Sequence, residues 1–273
     1  MLRQATGNET VSGRETASTA DLGNTETMTV RKVQAGGYTV VTTDTDVVAG
    51  RTFLLVHGIG MGISYFAQLS SALESQGRVV AIDLPGFGDA PEPKNALTMA
   101  EMGAVLINFV EVEGLGKPVL VGHSMGTQVV AEAAAQRPDL FPEVVLVAPT
   151  VNQHERSIPQ QAMRIVQDLF RENPKVWAMG MQNYAKTGPR WFLKKLNSMM
   201  DHDVEETLPK IMAHTLVVRG NRDPVCPHDW VEEVTALIPN ARMVEVKGRG
   251  HETMVKDGAC VAAYIVEHVK QDA

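Results

Sequence analysis

Cysteine is nearly missing from this chain of 273 residues, with only Cys226 and Cys260 present. Two cysteines outside any C-x-x-C pair cannot form a disulfide framework, so a reduced intracellular setting is the expectation. Excess positive charge is missing as well. The chain carries 25 Lys+Arg against 32 Asp+Glu, a net charge of −7. An acidic chain with no basic cluster has no electrostatic footprint for nucleic acid or an anionic membrane. No apolar run approaches the roughly 18 residues that span a bilayer. The first 27 residues, rich in Thr, Gly, Ser and Asn, contain no apolar stretch of the secretory kind, and they read as a flexible tail, 1–27. These absences together predict a cytoplasmic protein.

What is present points to a large core. Hydrophobic residues make up 44% of the chain and charged residues 21%, which excludes intrinsic disorder for the chain as a whole. Chains of this size bury about three quarters of their unfolded surface, favouring one large domain or one domain with an insertion. Residues 28–33 and 38–42 read as an antiparallel pair around Gly36-Gly37. Short apolar runs follow at Phe53–Val56, Arg78–Ile82, Val119–Val121, Val144–Val147 and Thr215–Val218, with a weaker one at Met243–Val246. Runs without alternation suit strands buried on both faces, as in parallel sheets. Helical stretches near 64–76, 98–113, 125–137, 228–238 and 254–270 lie between them. The alternation predicts an α/β sheet covered by helices.

Residues 150–210 interrupt that rhythm. They contain no clear strand, and five prolines from Pro149 to Pro209 punctuate them into short helices. Trp177, Tyr184, Trp191 and Phe192 sit there with Met163, Met179, Met181, Met199 and Met200. The division expected is a core of 28–149 and 211–273 with a helical lid of 150–210. Methionine adapts to irregular shapes, so this segment reads as a deformable apolar wall for an uncharged, fairly hydrophobic group. Trp177, Met181 and Trp191, with His57 on the core side, are the candidate substrate contacts. Arg190, Lys194 and Lys195 read as solvent-facing.

The chemistry centres on Gly122-His123-Ser124-Met125-Gly126, a G-x-S-x-G directly after an apolar run and before a helical segment. In that setting the glycines let a strand turn sharply into a helix, leaving the serine hydroxyl exposed at the helix start. A serine needs a base to take its proton. Of eight histidines, His251 follows the last strand in a glycine-rich loop, at the sheet edge where Ser124 is expected. The base needs an acid that orients it and balances its charge. Asp223 follows the strand 215–218, whereas Asp83 reads as a shaper of the turn Leu84-Pro85-Gly86-Phe87-Gly88. The chain order is then Ser124, Asp223, His251. Backbone donors for an oxyanion are expected from Ile59, in the turn His57-Gly58-Ile59-Gly60-Met61-Gly62, and from Met125. That glycine-rich turn lacks both the G-x-G-x-x-G spacing and a GK[ST], so the nucleotide reading fails.

With these motifs in hand, the chain resembles the α/β-hydrolase superfamily, in its lidded esterase, lipase and C–C hydrolase branch. His57-Gly58-Ile59-Gly60, Asp83-Leu84-Pro85-Gly86-Phe87-Gly88, the serine motif, Asp223 with Pro227, and Gly250-His251 carry the resemblance, from about residue 30 to 270. It implies an eight-stranded, mostly parallel sheet, a site under the lid, a covalent acyl-enzyme, and no metal or organic cofactor. Asp201-His202-Asp203 then reads as solvated loop polarity. Ser124 at the elbow removes the haloalkane dehalogenases and epoxide hydrolases, which use Asp there. Glu252-Thr253-Met254 after His251 counts against ring-cleavage C–C hydrolases, which usually carry an aromatic residue directly after that histidine. The reading is a serine hydrolase acting on carboxylic esters of small to medium hydrophobic substrates. Lactone, thioester and C–C hydrolysis, cofactor-free acyl transfer or perhydrolysis, and a non-catalytic binding role remain alternatives.

Overall fold

A computed structural model describes residues 29–169 and 189–271. The 1–27 tail, Trp177, Met179, Met181 and Tyr184 lie outside the described residues. The eight strands are β1 (Thr29–Ala35), β2 (Tyr38–Asp44), β3 (Arg51–Val56), β4 (Gly77–Asp83), β5 (Val119–His123), β6 (Glu143–Val147), β7 (His214–Gly220) and β8 (Ala241–Val246). They form one sheet in the order β1-β2-β4-β3-β5-β6-β7-β8. Strand β2 pairs antiparallel with both β1 and β4, and every other pairing is parallel. The β1–β2 turn places Gly36 at φ 57° and Gly37 at φ 84°, a conformation that two glycines adopt without steric cost.

Each central strand feeds two cores, because its side chains alternate between faces that are both covered. Leu54, Val56, Val80, Ile82, Leu120, Val144, Leu146 and Val217 point into one cluster. Phe53, Leu55, Val79, Ala81, Val119, Val121, Val145, Val147, Leu216 and Val218 point into the other. Burial of each Val, Leu or Phe of this kind is worth roughly 1.5–3 kcal/mol. Helices α1 (Ala67–Leu73) and α9 (Gly258–Lys270) cover the second face. Helices α2 (Met99–Val112), α3 (Met125–Gln136) and α7 (His228–Leu237) cover the first. At the start of α2, Thr98 and Glu101 form a reciprocal capping box, which satisfies two otherwise unpaired N–H groups.

The last predicted helix, 254–270, is two helices: α8 (Thr253–Lys256) and α9, broken at Asp257, whose φ is −144°. The break lets α1 approach the main chain, since a Cβ on Gly258 would stand 2.6 Å from the Gln68 carbonyl carbon.

Between β6 and β7 lie α4 (Ile158–Leu169), α5 (Pro189–Met200) and α6 (Val204–Thr207), with no strand among the described residues. Helix α5 is fastened to the sheet-covering layer. Gln128 Nε2 donates to the Met199 carbonyl at 3.1 Å, Ser198 Oγ donates to the Leu97 carbonyl at 2.7 Å, and Met199 and Met200 join the first core cluster. Lys195, expected in solvent, is 0% exposed. It lies one turn from Trp191 and one turn from Met199, on the face that α5 turns to the core. Its amine sits 5.1 Å from the Phe87 ring centroid and 5.2 Å from that of Trp191.

Candidate active site

Ser124, Asp223 and His251 come from three segments that all follow parallel strands at the carboxyl edge of the sheet, where side chains from separate loops converge. Ser124 stands between β5 and α3 with φ 51° and ψ −121°, a strained conformation for a residue with a side chain. The flanking glycines permit it by close approach. A Cβ on Gly122 would lie 2.5 Å from the Gly126 carbonyl oxygen, and one on Gly126 would lie 2.3 Å from that of Val56. The Ser124 N–H donates to the Val147 carbonyl at 3.0 Å, which locks the elbow to β6.

Ser124 Oγ lies 3.0 Å from His251 Nε2, and His251 Nδ1 lies 2.9 Å from Asp223 Oδ2. Because the carboxylate can only accept, Nδ1 carries the ring proton and Nε2 faces the serine hydroxyl as an acceptor. All three residues are buried, at 7%, 3% and 8% exposure for Ser124, Asp223 and His251. The second Asp223 oxygen accepts from the N–H groups of Val225, at 2.8 Å, and Cys226, at 3.0 Å. Burial alone pushes this carboxyl up, but the His251 charge and these hydrogen bonds outweigh it, so its pKa is held below the ordinary carboxylate value.

The loop after β3 runs beside the serine: a Cβ on Gly58 would lie 3.0 Å from Ser124 Cβ. The N–H groups of Ile59, in this loop, and of Met125, the residue after Ser124, donate to no acceptor among the described residues. Phe192 of α5 reaches the same loop, within 3.2 Å of where a Gly60 Cβ would stand. His123 packs beside His251, with ring centroids 5.1 Å apart. Its Nε2 donates to the His251 carbonyl at 3.1 Å, and burial above all lowers its pKa to about 3, so the ring stays neutral.

Other expectations resolve differently. His57 is 0% exposed and its ring serves the backbone: Nδ1 donates to the Gly58 carbonyl at 2.8 Å and Nε2 accepts from the Leu84 N–H at 3.2 Å. Both polar atoms are occupied, so His57 shapes the loop and offers no hydrogen bond to a substrate. Trp191, at 7% exposure, donates through Nε1 to the Gly86 carbonyl at 2.9 Å, so its indole is pinned to the loop after β4. Asp83, by contrast, shapes that loop as its sequence suggests, accepting from Ile63 N–H at 2.7 Å and Asp89 N–H at 2.9 Å. His202 turns partly inward, to 3.5 Å from Glu132, while Asp201 and Asp203 stay exposed.

Two groups of metal-capable side chains bring their donor atoms within 4.8 Å among the described residues. Asp223, Cys226 and His251 form the first, and there the carboxylate and imidazole are already bonded to each other. Glu143, His214 and His268 form the second, at the opposite end of the sheet. Its imidazoles lie face to face, 4.2 Å apart at 24°, and His214 Nδ1 and His268 Nε2 stand 3.6 and 3.4 Å from the same oxygen, Glu143 Oε2. Sequence reasoning assigned no role to Arg219, which contacts the Asp223 turn directly. The available signal was a cation directly after the apolar, buried run Leu216–Val218.

The chain is 27% identical over 230 residues to RutD of Klebsiella pneumoniae (strain 342), which is named as a carbamate hydrolase; the match covers 75% of this chain and 85% of that one. It is 25% identical to Lipase 3 of Moraxella sp. (strain TA144), covering 81% of this chain and 78% of that one. Among solved structures, a thermophilic esterase from Thermogutta terrifontis superposes with a TM-score of 0.74 at 23% identity, covering 89% of this chain and 98% of the esterase. The enol-lactonase from Burkholderia xenovorans LB400 superposes at 0.76 with 18% identity, covering 88% and 100%. These two structures share the fold. Residues 53–263 match the model of the alpha/beta hydrolase family, and with the sheet order and the elbow in place, the chain belongs to that family of hydrolases.

Proposed function

We propose that the protein is a serine hydrolase that cleaves a carboxylic ester of a small to medium hydrophobic substrate. The observation that carries this reading is the continuous relay from Ser124 Oγ through both nitrogens of His251 to Asp223, with links of 3.0 and 2.9 Å. In the proposed reaction, His251 Nε2 takes the Ser124 proton as Oγ attacks the ester carbonyl. Asp223 holds the ring in the required tautomer and balances the imidazolium that forms. The negative charge that develops on the carbonyl oxygen meets the N–H groups of Ile59 and Met125, reinforced by the N-terminus of α3. Collapse expels the alcohol, which receives the proton from His251. Water, deprotonated by the same nitrogen, then releases the acid and restores Ser124.

Residues 150–210 act in this reading as a cover. Phe192 on α5 lies against the loop that runs beside Ser124, and Trp191 against the loop after β4; an apolar wall favours an uncharged acyl or alkyl group. Among the relatives, the name of the Moraxella lipase agrees with an ester, whereas that of RutD points to a carbamate.

Hydrolysis of a p-nitrophenyl ester series, acetate through dodecanoate, by the wild type and Ser124→Ala tests the proposal. Turnover should fall by about three orders of magnitude or more in the variant, and the chain-length profile of the wild type should favour short to medium acids. Near-normal turnover by Ser124→Ala would overturn the mechanism. Absence of turnover across the series by the wild type would overturn the ester assignment.

A further inference from the structure

One position before its end, strand β7 carries a residue that the apolar, wholly buried run before it does not predict. Arg219 follows Leu216-Val217-Val218, and its side chain is only 5% exposed. A guanidinium in such a place must be paired and hydrogen-bonded, and this one is. Nε donates to the Cys226 carbonyl at 3.0 Å, Nη2 donates to the Asp223 carbonyl at 3.4 Å, and Nη1 pairs with Glu245. Glu245 is the residue directly opposite Arg219 in the β7–β8 register, and it also accepts from His228 Nδ1 at 3.0 Å.

The turn Asp223–Cys226 is therefore held from two sides. Its N–H groups close on the Asp223 carboxylate, and its carbonyls close on Arg219. The same guanidinium ties this turn to β8, whose following loop carries His251. Two main-chain bonds run in parallel: Asn221 N–H to the Val246 carbonyl at 3.0 Å, and Arg222 N–H to the Arg249 carbonyl at 2.9 Å. The planar fork of arginine reaches two carbonyls and a carboxylate at once, which the single ammonium of lysine does not reproduce.

We propose that Arg219 is a positioning residue that keeps Asp223 Oδ2 aimed at His251 Nδ1 by clamping the Asp223–Cys226 turn against β8. The proposal rests on the serine-hydrolase reading of the triad. An aspartate that drifts leaves the imidazole free to adopt the wrong tautomer, and loss of that function altogether costs about four orders of magnitude in kcat. A displacement near 1 Å costs about a hundredfold. Arg219→Met should therefore lower kcat about 10- to 100-fold with KM almost unchanged.

The test is a double-mutant cycle, with kcat and KM measured for Arg219→Met and Arg219→Lys, each alone and combined with Asp223→Asn. In the wild-type background Arg219→Met should lower kcat as stated, and Arg219→Lys should restore only part of it. In the Asp223→Asn background the same change should cost under about threefold, because nothing is left to aim. Equal losses in both backgrounds, or no loss in either, would overturn the proposal. If Arg219→Met fails to fold, Glu245→Gln, which leaves the guanidinium in place without its counter-charge, is carried through the same cycle. Ser124→Ala separates the two readings. If it retains turnover, the triad reading fails; if it is inactive and the cycle is additive, only the Arg219 assignment fails. A readout free of turnover is the downfield proton resonance of His251 Nδ1–H. It should be present in the wild type, absent in Asp223→Asn and displaced or broadened in Arg219→Met; an unchanged resonance in Arg219→Met also overturns the proposal.

Discussion

Replacing Lys195 with methionine should make the protein more stable at neutral pH and leave it almost unchanged in strong alkali. The side chain is 0% exposed and its amine has no hydrogen-bond partner among the described residues. Burial lowers its pKa from 10.5 to about 8, against the upward pull of Glu101 and Glu92. Each pKa unit corresponds to about 1.4 kcal/mol, so protonated Lys195 costs the folded state roughly 3 kcal/mol. The unfolded chain takes the proton near pH 10.5 and the folded chain only near 8. The penalty is thus absent above 10.5, grows as the pH falls between these values, and is constant below 8. Methionine fills the space of the alkyl stem but forgoes the contacts with Phe87 and Trp191, worth roughly 0.5–2 kcal/mol. The net gain at neutral pH is then about 1–2.5 kcal/mol, or about 3–7 °C in Tm for a chain of this size. Thermal unfolding of both proteins across this pH range measures it. A gap that does not change with pH, or a variant less stable at neutral pH, would refute the reasoning.

Glu252→Gln should show the opposite pH profile. Burial pushes this carboxyl from 4.5 to about 8, so the advantage of the variant opens as the pH rises above 4.5 and stops growing near 8; a urea-unfolding gap that narrows with rising pH would contradict this. Gly126→Ala places a methyl group 2.3 Å from the Val56 carbonyl oxygen and 2.7 Å from that of His57. It should cost about 2–4 kcal/mol, and a wild-type Tm would show that the elbow tolerates a side chain there. Asp83→Asn keeps one acceptor where two N–H groups, those of Ile63 and Asp89, now find one oxygen each. Its expected cost is about 1–3 kcal/mol, with unchanged unfolding as the contrary result.

Much of the fold was legible because parallel strands and their loops leave short, one-sided signals. Val119-Leu120-Val121 before Gly122 locates a strand covered on both faces, and the glycines on either side of Ser124 locate the turn that follows. The parallel sheet brings the ends of β5, β7 and β8 to one edge, so the placement of Ser124, Asp223 and His251 together follows from order along the chain. The break at Asp257 was not legible, since it answers to the approach of α1 against Gly258. The inward turn of His202 depends likewise on Glu132, a residue distant in sequence.

The misreading of Lys195 and the silence on Arg219 share one physical cause. A sequence pattern assigns a residue to a face by the character of its neighbours, and a charged side chain is assigned to water unless a partner is visible nearby. Lys195 lies between Trp191 and Met199 on a single helical face, so the period places it inward while its charge argues outward. The apolar stem and the two aromatic rings settle the matter in favour of the period. Arg219 is the complementary case. Its partners, the carbonyls of Asp223 and Cys226 and the carboxylate of Glu245, are four, seven and 26 residues away. The two nearer ones are main-chain atoms, which leave no mark in a sequence. A buried charge that answers to the backbone is thus invisible to pattern, while one directly after an apolar, buried run beside a candidate site still marks a position to test.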